Sequence, residues 1–180
     1  MPYNESAIDI LEKLEGVEAH SLKPLQRVLL ITDGTLTEIL EAFFLERIRL
    51  IKISQQTISA TVAHMQLAPN PEEVLLERKI ILQGMKSNRN YVYAESVIAI
   101  ERFDPPFRDK LLNSDISLGR LWVEHKLETH KELLEVRCQP ANNLSQYFEC
   151  KDPSLLLART YCVFSAAKPV MVISEYFPVE

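Results

Sequence analysis

Residues 159–178 read Arg-Thr-Tyr-Cys-Val-Phe-Ser-Ala-Ala-Lys-Pro-Val-Met-Val-Ile-Ser-Glu-Tyr-Phe-Pro, and this stretch decides the fold. β-branched and aromatic residues fill its two arms, and a short run of small residues at 165–168 joins them. Such a pattern is typical of a β-hairpin, and Pro178 marks the end of its second strand. The C-terminal part of the chain is therefore predicted to be built from antiparallel strands.

Glu175 is the unusual residue of the second arm. Side chains alternate between the two faces of a strand, so Met171, Ile173 and Phe177 share its face. The opposite face is no more polar, and neither face offers the carboxylate an obvious route to water. A carboxylate in such surroundings has a partner, changes its protonation state, or lies at the end of the strand.

Length and composition predict one soluble domain over residues 1–180. The chain is 47% hydrophobic and 25% charged, as in ordinary globular proteins. Its formal net charge of −5 provides no field that would attract nucleic acid, so an anionic ligand needs local positive groups. No window reaches the roughly 18 consecutive apolar residues of a membrane span.

Three cysteines, Cys138, Cys150 and Cys162, lie far apart and form no metal-binding spacing. They predict buried thiols in a reducing compartment, and hence a cytoplasmic protein. His125 and His130 do not have the i, i+4 spacing of helical metal ligands, so no metal site is expected. With only four glycines, a glycine-rich phosphate loop is not expected either.

The periodicity of the chain predicts helices first and strands afterwards. Helical patterns cover residues 6–14 and 35–46, and Thr35 with Glu38 matches a capping box. Residues 25–31 are apolar enough for a buried helix or a strand, and Pro24 favours the start of a helix. Later helices are predicted at 107–112 and 118–125, the second capped by Ser117. Strands are predicted at 47–54, 57–66, 74–82, 91–100 and 131–138, before the C-terminal hairpin. Short turns between neighbouring strands indicate the α+β class with one antiparallel sheet.

Arg78 is the second ionisable residue on an apolar strand face. It alternates with Leu76, Ile80 and other aliphatic residues of its strand, and its planar guanidinium matches the shape of a carboxylate. Arg78 and Glu175 either form a buried ion pair, lie at exposed strand ends, or line one pocket. In a pocket they would bind a small organic acid, with Glu175 as proton donor or acceptor.

Three separated segments together resemble one enzyme family. They are Glu-Arg-Lys-Ile-Ile-Leu at 77–82, Ser-Leu-Gly-Arg-Leu-Trp at 117–122, and Lys-Pro-Val-Met-Val-Ile-Ser-Glu-Tyr-Phe-Pro at 168–178. In order and spacing they are similar to the signature segments of chorismate pyruvate-lyases, in particular the divergent chorismate lyase-like branch of archaea, cyanobacteria and other bacteria. Residues 33–37 also resemble the entry to that family's first long helix.

The resemblance implies a single α+β domain in which helix-turn-helix flaps cover a buried pocket. The implied reaction eliminates pyruvate from chorismate and gives 4-hydroxybenzoate, without metal or organic cofactor. Arg78 would hold the ring carboxylate, helped by the backbone N–H of Leu118 beside Gly119. Glu175 would face the ether oxygen and later the phenol. Leu36 would cover the ring.

Two other functions remain open at this point. The ligand-binding UTRA domains of bacterial transcription regulators share the family's fold, so the chain would then be a sensor of small aromatic acids. The residues before Leu25 are acidic and too few for a DNA-binding module, which argues against the sensor function. An enzyme of the same fold acting on another cyclic enolpyruvyl acid would need the same arginine and carboxylate.

Overall fold

Six antiparallel strands form one sheet in the computed structural model, which describes residues 6–68, 70, 72–148 and 155–179. The strands are β1 (Ile48–Ser59), β2 (Val74–Gly84), β3 (Asn90–Ile98), β4 (His130–Pro140), β5 (Leu155–Ser165) and β6 (Lys168–Pro178). Their order across the sheet is β1-β2-β3-β6-β5-β4. The predicted α+β class with a single antiparallel sheet is confirmed.

Both predicted hairpins are confirmed. Strands β2 and β3 pair directly, and β5 pairs with β6 from Ser165 and Lys168 outward. Ala166 and Ala167 form the two-residue turn of the second hairpin, both with positive φ, at 48° and 60°. Left-handed conformations at both central residues match the twist of a hairpin, and the small side chains limit their steric cost.

The helices lie mainly before β1 and between β3 and β4. They are α1 (Ala7–Glu12), α2 (Pro24–Ile31), α3 (Leu36–Phe44), α4 (Pro105–Asn113), α5 (Leu118–Glu124) and α6 (Ser145–Phe148). Ser6 caps α1 with a complete capping box, and Asp104 caps α4 by accepting from the N–H of Phe107. None of the described helices is long and apolar enough to cross a membrane.

The start of α3 differs from its prediction. Thr35 occupies the N-cap position, but its side chain makes no capping hydrogen bond. It lies instead against Gly119, where an added Cβ would be only 2.3 Å from the Cγ2 atom of Thr35. Ser117 likewise stands at the N-cap of α5 without a capping hydrogen bond. The capping-box prediction for α3 is therefore wrong. The Thr35 side chain packs against Gly119 at the start of α5 instead of capping its own helix.

Three predicted boundaries also change. Helix α3 ends at Phe44 because Leu45 is left-handed (φ 52°). Glu46, predicted to end the helix, lies beyond it and accepts hydrogen bonds from Tyr91 and Ser87. Strand β1 continues to Ser59, and residues 62–67 form 3-10 helix rather than strand. Strand β3 ends at Ile98, two residues earlier than expected, because a 3-10 helix starts at Ile100.

Two groups of buried side chains pack on the same face of the sheet. One lies under α1, α2 and α3 and includes Leu30, Leu40 and Phe177. The other lies under α4 and α5 and includes Phe107, Leu121 and Met171. The gap between the two groups is where a pocket forms.

Two cysteines are described as free thiols. Cys162 is buried, and Cys138 is half-buried. Burial raises the pKa of the Cys162 thiol to about 11, so at neutral pH this group is not a reactive thiolate. Cys150 lies outside the described residues.

Candidate functional site

A pocket lies between the starts of α3 and α5 and the inner face of the sheet. Its lining includes all five residues singled out from the sequence, namely Leu36, Arg78, Leu118, Gly119 and Glu175. The structure thus brings together residues that are up to 139 positions apart in the chain (175 minus 36). The functions assigned to them stay predictions.

Arg78 lines the pocket and is 1% exposed. Its Nη2 donates a long hydrogen bond of 3.4 Å to the carbonyl of Ile116, and its Nε has no hydrogen-bond partner in the described structure. Burial lowers the pKa of Arg78, and the charge of Asp115 opposes that shift only from beyond ion-pair distance. Because arginine keeps its charge at neutral pH, Arg78 is a buried cation with donors left for a ligand.

Glu175 is 7% exposed and has two close partners. Arg159 donates from Nε to Oε2 over 2.6 Å, and the Tyr161 hydroxyl donates to Oε1 over 3.0 Å. Arg159 also donates to the carbonyl of Thr32 over 2.8 Å. Of the alternatives left open by the sequence, a buried ion pair does occur, but Arg159 rather than Arg78 is the partner of Glu175.

The pKa shifts around Glu175 follow from this contact. Burial favours the neutral form of Arg159, but the charge of Glu175 and its hydrogen bond with Arg159 outweigh that effect and raise the pKa of Arg159. Burial, and then the charge of Glu175, raise the pKa of Tyr161 well above its usual value. Tyr161 therefore stays protonated at neutral pH and keeps donating to the carboxylate.

Lys131 adds a second positive charge to the pocket wall. Its Nζ donates to the carbonyl of Asp33 over 2.6 Å and lies 3.4 Å from that of Gly34. The same nitrogen is 5.3 Å from the centre of the Tyr161 ring and 5.4 Å from that of Trp122, within cation–π range. Burial lowers the pKa of Lys131, while the charge of Glu175 opposes the shift.

Close packing of α3 against α5 covers the pocket. Gly119 allows this approach, since any larger residue would collide with Thr35. Arg120 of α5 also forms an ion pair with Glu41 of α3, at 3.1 Å. Because Leu36 and Leu118 begin these two helices, both residues are held over the pocket.

Reasoning from sequence missed two residues that line the pocket, Tyr161 and Lys131, and also Arg159, which pairs with Glu175 behind it. Arg159 and Tyr161 were read only as part of an apolar hairpin arm, and Lys131 as the start of a strand. Counting by twos along β5 groups Arg159 with Tyr161. It does not show which residues of β6 lie opposite them.

Comparisons with known proteins show the family of this chain. The model of the family described as "Chorismate pyruvate-lyase Rv2949c-like" matches residues 30–180. Chorismate pyruvate-lyase of Mycobacterium leprae is 29% identical over 152 residues, covering 84% of this chain and 72% of that protein. The enzyme of the same name from Mycobacterium tuberculosis is 29% identical over 168 residues, covering 91% and 84%.

Solved structures show the same fold in another class of protein. The effector domain of PhnF from Mycobacterium smegmatis matches with a TM-score of 0.66 at 10% identity, covering 82% of this chain and 90% of that domain. Ligand-binding domains of GntR-family regulators, the UTRA type, are among the structural neighbours. At such low identity the likeness concerns the fold alone.

Proposed function

The chain belongs to the Rv2949c-like chorismate pyruvate-lyase family, and on this basis we propose that it eliminates pyruvate from chorismate to give 4-hydroxybenzoate. In this reaction the bond between the ring and the enolpyruvyl ether oxygen breaks. A proton leaves the neighbouring ring carbon, the ring becomes aromatic, and the released enolpyruvate takes up a proton to become pyruvate. Aromatisation supplies the driving force, so no metal or organic cofactor is required.

The observation that carries the proposal is a buried arginine with free donors in the same pocket as a carboxylate. Arg78 has no carboxylate within ion-pair distance among the residues that the structure describes, and its fork suits the ring carboxylate. The backbone N–H at Leu118, beside Gly119, would help to hold that group. Leu36 would cover the ring and keep water out.

Glu175 would act on the reacting side of the ring. Arg159 and Tyr161 both donate to it, so its oxygens are arranged as acceptors. We therefore assign it the role of proton acceptor, taking the ring proton while the ether bond breaks. Holding the ring between Arg78 and Glu175 supplies much of the rate, because an oriented reactant loses little further entropy on reaching the transition state.

The test is to incubate purified protein with chorismate and to measure 4-hydroxybenzoate and pyruvate separately. We expect the two products in equal amounts and faster than in a matched sample containing the Arg78→Met variant. Absence of either product above the uncatalysed rate overturns the proposal.

A second candidate function is that of a sensor, and it is favoured by the fold shared with the PhnF effector domain. A sensor would bind 4-hydroxybenzoate or a similar acid tightly without turning over chorismate. A lyase acting on another cyclic enolpyruvyl acid would release pyruvate from that compound and not from chorismate. Both alternatives are separated from the main proposal by the same product assay.

A further inference from the structure

We infer that Lys131 binds the second carboxylate of the substrate, so that the pocket selects ring acids carrying another carboxylate on an ether side chain. The inference rests on the proposed function and deepens it. Chorismate has a ring carboxylate and an enolpyruvyl carboxylate, whereas 4-hydroxybenzoate has only the first. A group dedicated to the second carboxylate would distinguish substrate from aromatic product.

The position of Lys131 suits this role. Lys131 pairs with Val163 in the sheet, two residues along β5 from Tyr161, so its side chain lies on the pocket face. Four strand spacings separate β4 from β2, which places the Cα atoms of Lys131 and Arg78 roughly 19 Å apart along the sheet. Both side chains line the same pocket, so a ring with a short side chain that fills it would contact both charges.

The charge balance of the pocket points the same way. Arg159 is neutralised by Glu175, and Arg78 is assigned to the ring carboxylate in the proposed function. Lys131 is the remaining cation among the described lining residues. Its Nζ contacts two carbonyl oxygens and two aromatic rings, but no carboxylate within 4 Å in the described part of the chain.

An anion at Lys131 would meet an ammonium group that Glu175 affects only from beyond ion-pair distance. The two carbonyl oxygens fix the position of the ammonium group without neutralising it. Burial lowers the pKa of Lys131, which means that the site disfavours an isolated charge there. A ligand carboxylate would offset this penalty and use the ammonium donor that the carbonyls leave free.

A purely structural role makes a different prediction. Lys131 also ties the segment at Asp33 and Gly34, which leads into α3, to strand β4. If that tie were its only role, replacing it would loosen the start of α3. Every ligand covered by Leu36 would then bind more weakly, whatever its number of carboxylates.

The experiment compares two stable ligands that differ by one carboxylate, 3-(carboxymethoxy)benzoate and 3-methoxybenzoate. Their affinities are measured calorimetrically for the wild type, Lys131→Gln and Lys131→Arg. We expect Lys131→Gln to weaken binding of the dicarboxylate by about ten- to a hundredfold, the range of a charge-assisted hydrogen bond, and to leave the monocarboxylate nearly unchanged. Lys131→Arg should keep most of the difference.

Lys79→Gln is the matched control, because Lys79 is also a strand lysine but pairs with Glu95 outside the pocket. It should change neither affinity. Equal losses for both ligands in Lys131→Gln, no loss for either, or failure of the wild type to bind either ligand would overturn the inference. If Lys131→Gln loses affinity for the dicarboxylate alone but the wild type does not turn over chorismate, the binding role of Lys131 is supported and the proposed reaction is contradicted.

Discussion

Arg78 and Arg159 are both buried, but they differ in their hydrogen-bond partners. Arg78 is 1% exposed and Arg159 is 2% exposed, and they extend from β2 and β5, each the second strand from an edge of the sheet. Arg159 has a carboxylate at 2.6 Å and a carbonyl at 2.8 Å, whereas the closest hydrogen bond of Arg78 is a carbonyl at 3.4 Å. Accordingly, the pKa of Arg159 is raised and that of Arg78 is lowered by burial.

The difference separates what stabilises the fold from what is available to a ligand. Removing one partner of a buried ion pair lowers the stability of the protein, because the other charge is then buried without compensation. A buried charge without a counter-charge costs free energy in the folded protein, and its removal relieves that cost. Arg159 belongs to the first class and Arg78 to the second.

The largest expected effect is on stability, in Arg159→Met. This change leaves Glu175 buried without its cation, and we expect a loss of about 3–5 kcal/mol in the free energy of unfolding. Urea denaturation of the variant and the wild type measures it. Adding Glu175→Gln to Arg159→Met should restore part of the loss, because the uncompensated charge is then gone.

Arg137→Met is the control for that series. Arg137 is a strand arginine paired with Glu135, but the pair is partly exposed, so its loss should cost about 1 kcal/mol or less. Equal stability of Arg159→Met and wild type would break the distinction between the two buried arginines.

The bulge in the C-terminal hairpin explains why this distinction could not be read from sequence. From the turn, Ser165 opposes Lys168, and straight counting would place Arg159 opposite Ser174, on the other face from Glu175. A register shift between Val163 and Phe164 moves Arg159 opposite Glu175 instead. A one-residue bulge leaves little trace in a run of apolar and aromatic residues.

Arg78 and Glu175 could be identified because each lies in a regular part of its strand. Strand β6 carries its bulge at Val170, and from Met171 to Pro178 it pairs with β5 without interruption. Strand β2 pairs without interruption from Leu76 to Leu82, so alternation assigned Arg78 to the correct face. Lys131 and Tyr161 required knowledge of which strands meet, and that is set by contacts distant in sequence. The wrong cap at Thr35 has the same origin, since the partner of its side chain is Gly119, 84 positions away (119 minus 35).

The next effect is on binding, in Arg78→Met. We expect the affinity for 4-hydroxybenzoate to fall by about two to three orders of magnitude, because the ring carboxylate loses its buried cation. Stability should be unchanged or higher, by up to roughly 1–4 kcal/mol. Calorimetric titration and urea denaturation of the same sample measure both.

Arg78→Lys tests the geometry of the same contact. An ammonium keeps the charge but cannot reproduce the two parallel donors of a guanidinium, so we expect only partial recovery of affinity. A variant that binds as well as the wild type would mean that charge alone is recognised. Loss of stability in Arg78→Met would mean that this arginine serves the fold as Arg159 does.

Glu175→Gln should act on turnover more than on binding. The amide keeps the size of the side chain but cannot accept a proton from the ring, so we expect turnover to fall by about one to three orders of magnitude. Affinity for 4-hydroxybenzoate should remain within a few-fold of the wild type. Turnover at the wild-type rate would limit Glu175 to orienting the ring. Loss of folding would indicate that its pairing with Arg159 is its main role.

Gly119→Ala tests whether the cover of the pocket depends on the contact between α3 and α5. The new Cβ would lie 2.3 Å from the Cγ2 atom of Thr35, so one helix start must move. We expect ligand affinity to fall by about tenfold. That loss corresponds to about 1.4 kcal/mol, which is comparable to the cost of overpacking a side chain. Thr35→Ser removes the colliding methyl group, and combining it with Gly119→Ala should recover part of the affinity. If the double variant recovers no affinity, the loss in Gly119→Ala does not come from the collision with Thr35.

The smallest effect concerns a carboxylate that is satisfied without any cation. Glu46 accepts hydrogen bonds from Tyr91 and from Ser87, and the first of these is the main cause that lowers its pKa from 4.5 to about 2. Its folded-state pKa lies below its unfolded value. Its stabilising contribution is therefore complete above about pH 4.5 and is lost as the pH falls from there towards 2. Wild type and Glu46→Gln should differ most in unfolding midpoint at neutral pH and converge on acidification. If the difference in unfolding midpoint between wild type and Glu46→Gln stays constant down to pH 3, the neutral donors Tyr91 and Ser87 do not stabilise the charge of Glu46.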